Sequence, residues 1–385
     1  CAVANSLAAL DAGARHVHSF VCARGGDGVA RCRGGSRSTL CGGDGGREGV
    51  MINERSATGM RLVDKFGRQV RKMRISVTDR CNFRCQYCMP AGDIPWIPRE
   101  EILSFEEMAR VATVAATMGV ERIRLTGGEP LTRPDLHQLL SLLAAIPEIE
   151  RIDMTTNGYF LPDKIEALRD AGLHGLNISL DSLQAERFAE LTRRNYFDRV
   201  LRGIEAARAS GVPFKINTVV MRGINDDEIA DFIRWGKETG TTVRFIEFMP
   251  LDGDHRWNRD TVVTAEEILA AASELGEVIP LHNDPRDPAR LYSIAGDKGT
   301  FGVIASVSQP FCGNCDRIRL TADGKIRNCL FAVAETDLRA PLRAGASDDD
   351  LAQILLDAVQ MKWAGHLINQ EGFRQPERAM YAIGG

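Results

Sequence analysis

The sequence predicts an α/β fold in which parallel strands alternate with helices, closed by a C-terminal α+β extension. Three observations predict it. Six short runs that read as strands are separated by longer amphipathic runs, the pattern of βαβ units. Polar or glycine-rich motifs follow those strands at their C-terminal ends, where barrels carry their sites. The 385 residues, 44% hydrophobic and 26% charged, have ordinary globular composition.

Arg74 to Thr78 (RISVT) reads as a strand leading into a cysteine-rich loop. Ser104 to Met118 reads as a capped amphipathic helix, with Phe105, Met108, Val111, Ala112, Ala115 and Met118 at helical spacing. Arg122 to Leu125, Ile152 to Thr155, Gly175 to Leu180, Phe214 to Val219 and Val243 to Phe248 read as further strands. Helical stretches near 135–144, 163–171, 198–210 and 226–239 lie between them. Residues 1–57 show repeated Gly and Arg without a sustained apolar period, and are expected to be a disordered or non-native extension, with Met51 a plausible start. Residues 58–262 are expected to form the barrel and 263–385 the extension.

Forty-eight Lys and Arg against 52 Asp and Glu leave a net charge of −4, so no chain-wide basic field points to nucleic acid. An anionic ligand must then be met by a few placed cations. No run approaches about 18 apolar residues and no secretory leader is evident, so a cytoplasmic location with no membrane association is expected. Ten cysteines in such a compartment point to metal or redox use rather than disulfides.

Cys1, Cys22, Cys32 and Cys41 are scattered, but six form two triplets: Cys81, Cys85 and Cys88 in CNFRCQYC, and Cys312, Cys315 and Cys329 in FCGNCDRIRLTADGKIRNC. A closed zinc site takes four protein ligands, whereas three leave one coordination position open. A C-x2-C pair alone is more often a zinc site than an iron–sulfur one. The C-x3-C-x2-C spacing, with Tyr87 before the last Cys, suits one loop wrapped around a cubane cluster. Thr126-Gly127-Gly128-Glu129-Pro130, Thr155-Thr156-Asn157-Gly158, Asn177-Ile178-Ser179 and Glu247-Phe248-Met249-Pro250 put short polar or soft side chains at successive strand ends. Each alone is explained by a tight turn or a helix cap.

The cysteine loop with the GGEP turn one strand later resembles the radical S-adenosylmethionine (SAM) superfamily, which implies a partial (β/α)6 TIM-like barrel. With the second triplet, the chain from roughly Arg61 to Gly385 resembles the family of molybdenum cofactor biosynthesis protein A, the GTP 3′,8-cyclases, in SVTDRCNFRCQYCMP, RLTGGEPL, TTNGY, NISLDSL, KINTVVMRGIN, FIEFMP, FCGNCDRIRLTADGKIRNCLF and the terminal IGG. The resemblance implies a metal-binding, nucleotide-binding lyase with two [4Fe-4S] clusters. Cys81, Cys85 and Cys88 would hold the cluster that cleaves SAM, and Cys312, Cys315 and Cys329 a second cluster whose open iron meets guanine. Tyr87, Gly128, Ser179 and Met249 would line the SAM pocket. Arg74, Arg124, Thr155, Lys215, Arg317 and Arg319 would contact GTP, the last two as catalytic residues. The implied reaction is abstraction of the ribose 3′ hydrogen by a 5′-deoxyadenosyl radical, closure of C3′ onto guanine C8, and quenching of the resulting aminyl radical by one electron and one proton, the first step of molybdopterin synthesis. Implied partners are GTP, an electron donor such as flavodoxin or ferredoxin, and a downstream cyclic pyranopterin monophosphate synthase, with a homodimer allowed. No P-loop motif is present, so GTP would be rearranged rather than hydrolysed. The competing readings are a radical SAM peptide maturase and an iron–sulfur or zinc electron-transfer or binding protein.

Overall fold

The computed structural model describes residues 59–385. The expected extension over 1–57 lies outside them.

The first two-thirds run β1 (Lys72–Ser76), α1 (Phe105–Thr117), β2 (Arg122–Thr126), α2 (Leu136–Ala144), β3 (Arg151–Thr156), α3 (Leu161–Asp170), β4 (Gly175–Ser179), α4 (Ala185–Thr192), α5 (Phe197–Ser210), β5 (Phe214–Val220), α6 (Ile229–Thr239) and β6 (Val243–Glu247). All six expected strands form and pair in parallel in chain order. The helix after β4 is two helices, because Arg193 takes a left-handed conformation (φ 53°) that ends α4 before α5 begins. In α1, Ser104 Oγ accepts from Glu107 N and Ser104 N donates to Glu107 Oε2, a capping box worth about 1 kcal/mol. The helix buries Met108, Val111, Ala112 and Ala115 against the sheet, at the helical spacing that the sequence shows.

The extension contributes α7 (Ala265–Ser273), β7 (Val278–Leu281), β8 (Arg290–Ile294), β9 (Phe301–Ile304), β10 (Arg317–Leu320), β11 (Lys325–Arg327), β12 (Thr336–Asp337), α8 (Arg339–Arg343), α9 (Asp348–Gln360) and α10 (Met380–Ile383). It builds no sheet of its own. The twelve strands among the described residues are ordered β12-β11-β10-β1-β2-β3-β4-β5-β6-β9-β8-β7. β10 pairs in parallel with β1, and β9 with β6, so eight parallel strands are flanked by antiparallel pairs at both edges. Lys72 of β1 reaches Asp287, just before β8, at 3.2 Å, so the sheet curls until strands far apart in its order face one another.

The two faces of each strand have opposite chemistry, because side chains alternate along an extended chain. In β1, Met73 and Ile75 pack outward under the helices while Lys72 and Arg74 point inward. In β2 the outward pair is Ile123 and Leu125 and the inward pair Arg122 and Arg124. In β3, Ile152, Met154 and Thr156 are buried, and Arg151, Asp153 and Thr155 face the interior. The apolar outer face builds the main core; the inner face is cationic.

Candidate active site

A cavity of about 720 Å³ fills the curl of the sheet. Topology decides which cysteines meet it at which end. The loop with Cys81, Cys85 and Cys88 follows the C-terminal end of β1. Cys312 and Cys315 precede the N-terminal end of β10, which is parallel to β1, and Cys329 follows β11, which is antiparallel to β10. The triplets therefore lie at opposite ends of the strands, on the order of 15 Å apart for five residues of extended chain. Cys85, Cys88, Cys312, Cys315 and Cys329 line the cavity directly; Cys81 is outside the lining but interacts with both of its sister thiols.

In the first triplet Cys88 N and Met89 N both donate to Cys85 O, folding the loop back on itself. Cys81 Sγ accepts from Phe83 N at 3.4 Å, and Asn157 Nδ2 stands 4.0 Å away. Burial pushes the Cys81 thiol up to about 12, and it pushes Cys85 and Cys88 up as well, each reinforced by neighbouring negative charge. Three thiolates share such a space only around metal charge. In the second triplet burial pushes Cys312 up, while for Cys315 the charges of Arg317 and Lys362 outweigh burial and hold the thiol down at about 7. Among the described residues no three His, Cys, Asp or Glu converge as one metal ion requires. A cubane, whose thiolates bind different irons, asks for no such convergence. The donor sets fit clusters.

In the GGEP turn both glycines face the backbone of the cysteine loop. A Cβ on Gly127, whose φ is 156°, would stand 2.5 Å from Thr78 O, and one on Gly128 would stand 2.4 Å from Arg80 O. The glycines are needed because the root of the cysteine loop passes against them; Gly128 N and Glu129 N bond to Thr78 O and Arg80 O at 2.8 Å. Glu129, buried, accepts from Leu131 N, Asn157 N and Thr156 Oγ and ties the turn to β3. Gly128, Ser179, Met249 and Tyr87 line the same end of the cavity. Tyr87 donates its hydroxyl to Asp181 at 2.7 Å.

Arg74, Arg124, Thr155, Lys215, Arg317 and Arg319 also line the cavity. In register, Arg319, Arg74, Arg124 and Asp153 form one row across four strands, and Arg317, Lys72, Arg122 and Arg151 another. Nine Lys and Arg side chains face five carboxylates in the lining. Burial pulls the Arg74 guanidinium well below its ordinary value, and Arg319, Arg124, Arg317 and Arg244 add like-charge repulsion. Arg319 is pulled by burial to about 10. Arg124 Nη2 holds Asp153 at 3.1 Å, but its buried Nη1 has no partner. An orphaned donor within a field of like charges is a site shaped for a polyanion.

Sequence reasoning missed Arg244, whose Nε and Nη2 both donate to Asn217 Oδ1. Strand alternation in VRFIE was the signal that put it inward. It also missed Asp181, His366 and the buried Lys362. The chain terminus enters the cavity as well. Thr126 Oγ1 donates to Gly385 O at 2.8 Å, and Arg319 donates to the Gly384 carbonyl.

Residues 75–236 match the family described as Radical SAM superfamily, and 241–368 the one described as Molybdenum Cofactor Synthesis C. The chain is 47% identical over 330 residues to a GTP 3′,8-cyclase of Rhodopirellula baltica, covering 84% of this chain and 92% of that protein. It is 48% identical over 337 residues to a GTP 3′,8-cyclase of Corynebacterium glutamicum, covering 84% and 89%. Among solved structures, Streptococcus suis SuiB aligns over 80% of this chain and 76% of its own with a TM-score of 0.54 at 14% identity. Native anSMEcpe with bound AdoMet aligns over 80% of this chain and 93% of its own with a TM-score of 0.51 at 15% identity. These two share the fold.

Proposed function

The chain belongs to the GTP 3′,8-cyclase family of the radical SAM superfamily, and from that premise we infer that it converts GTP to (8S)-3′,8-cyclo-7,8-dihydro-GTP with cleavage of SAM, in molybdenum cofactor biosynthesis. The observation that carries this reading is a single cation-lined cavity with a cysteine triplet at each end of the same strands. Cys81, Cys85 and Cys88 would hold one [4Fe-4S] cluster, with SAM against Gly128, Ser179, Met249 and Tyr87. Cys312, Cys315 and Cys329 would hold the other. When bound, the first cluster and SAM supply a 5′-deoxyadenosyl radical able to take the ribose 3′ hydrogen of GTP.

The protein's own contribution is position. Arg74, Arg124, Lys215, Arg317 and Arg319, joined by Arg244, provide planar or compact donors for a triphosphate of about four negative charges. Thr155 offers a hydroxyl in the same lining. Anchoring the nucleotide between the triplets fixes ribose C3′ and guanine C8 relative to one another, which removes orientational entropy from ring closure. Arg124 Nη1 gains the acceptor it lacks. Tyr87, held by Asp181, keeps the first cysteine loop in register with β4.

This reading puts the enzyme in the cytoplasm, with flavodoxin or ferredoxin as electron donor and cyclic pyranopterin monophosphate synthase taking the product. The test is an anaerobic reaction of reconstituted protein with GTP, SAM and dithionite. Equal amounts of 5′-deoxyadenosine and cyclised nucleotide are expected. Steady SAM cleavage in the presence of GTP with no cyclised nucleotide would overturn it.

A further inference from the structure

Lys362 lies just beyond α9 and turns its side chain inward; the residue is 3% exposed. Its ammonium donates to Arg317 O and Asn328 O, both at 2.8 Å, and stands 3.8 Å from Cys315 Sγ. Those carbonyls belong to the first residue of β10 and to the residue after β11, the two neighbours of the second triplet in the fold. An ammonium has three donors. Two meet neutral oxygens, and the third is left for sulfur.

Burying an ammonium costs several kcal/mol unless a negative charge faces it. None of the three partners of Lys362 is a carboxylate. The one partner that can carry full negative charge is the Cys315 thiolate, and Arg317 adds a second cation beside it. The first triplet is surrounded differently. The hydrogen bonds to Cys81 Sγ come from neutral donors, Phe83 N and Asn157 Nδ2; there the negative charge of Glu129 opposes the one nearby cation, Arg84, and Asp181 adds negative charge beside Cys85 and Cys88.

We infer that Lys362 donates its third N–H to Cys315 Sγ and sets the reduction potential of the second cluster, raising it relative to the first. This rests on the reading that Cys312, Cys315 and Cys329 hold a cluster. A hydrogen bond to a ligand sulfur is one of the protein's levers on cluster potential. Reduction adds one electron to an already anionic group, so a cation in contact stabilises the reduced form more than the oxidised one. Removing it must lower the potential.

The experiment compares reconstituted wild type, Lys362→Met and Lys362→Arg by potentiometric titration followed by electron paramagnetic resonance. The signal altered by added SAM marks the first cluster; the other marks the second. The Met variant is expected to lower the second midpoint while the first stays in place, and the Arg variant to stay near wild type. A Met variant with a full iron complement and an unmoved second midpoint would overturn the role of Lys362. If the Met variant loses the second cluster, the wild type decides: with ¹⁵N-lysine incorporated, pulsed resonance on the reduced second cluster should reveal a lysine nitrogen coupling, and its absence overturns the inference. Iron content separates the layers. About four irons per wild-type chain removes the second cluster and the inference with it, whereas about eight with an unmoved midpoint removes only the lysine's role.

Discussion

Asp181 illustrates what a single side chain carries here. Its Oδ2 accepts the Tyr87 hydroxyl at 2.7 Å and its Oδ1 accepts Val219 N at 2.9 Å. Burial pushes its carboxyl up to about 6, against the pull of Val219 and Tyr87. The folded chain therefore binds this proton more tightly than the unfolded chain, whose Asp ionises near about 4. That stability, about 3 kcal/mol, is fully present below about pH 4 and is lost as pH rises through about 6. Asp181→Asn keeps an acceptor for Val219 and offers a donor to Tyr87 Oη, so it should remove this component. Denaturant unfolding of the cluster-free chain at pH 5 and pH 7.5 checks it: the gap between the two should shrink in the variant, and an unchanged gap would count against it. The sequence marked Tyr87 through its place beside Cys88, but its partner was hidden, because an Asp after a strand reads equally well as a cap of the next helix. Arg244 was missed for a related reason. It stands in no motif, and only its inward register beside Asn217 gives it a role.

At the scale of elements, the short motifs were legible, but the distant contacts that shape them were not. The glycines of the GGEP turn make room for the backbone of the cysteine loop, a contact between segments about 48 residues apart that no local pattern reveals. The terminal α10 and its two glycines depend on distant contacts in the same way. Gly384 has φ 72°, and a Cβ there would stand 3.0 Å from Thr126 Cγ2 and 3.1 Å from Ser76 Cβ; one on Gly385 would stand 2.3 Å from Met380 Sδ. The tail is thus fitted between the ends of β1 and β2, with Arg319 on the Gly384 carbonyl. Removing Gly384 and Gly385 should leave iron content and SAM cleavage largely intact and lower cyclisation by about tenfold or more, through loss of substrate positioning. Quantifying 5′-deoxyadenosine and cyclised nucleotide in the same reaction tests this. Full product yield from the truncated chain would contradict it.

At the scale of the molecule, the extension completes the sheet instead of standing beside it: β10 joins β1 and β9 joins β6. This puts the second triplet at the opposite end of the strands from the first, and the two should assemble independently. Cys312→Ala is expected to halve the iron content from about eight to about four per chain and to stop cyclisation while SAM still binds. Cys85→Ala should stop SAM cleavage yet retain the second cluster. Iron analysis and SAM binding on each variant check the pair, and loss of both clusters from either would argue against separate ends. The sequence by itself determined the two incomplete ligand sets and the strand and helix alternation, because both depend on spacing within a few residues. Tertiary structure alone decided which end each triplet occupies, which cations share a row, and where Lys362 reaches. Those follow from pairings between the first strand and the last third of the chain, and long-range register leaves no imprint in local periodicity.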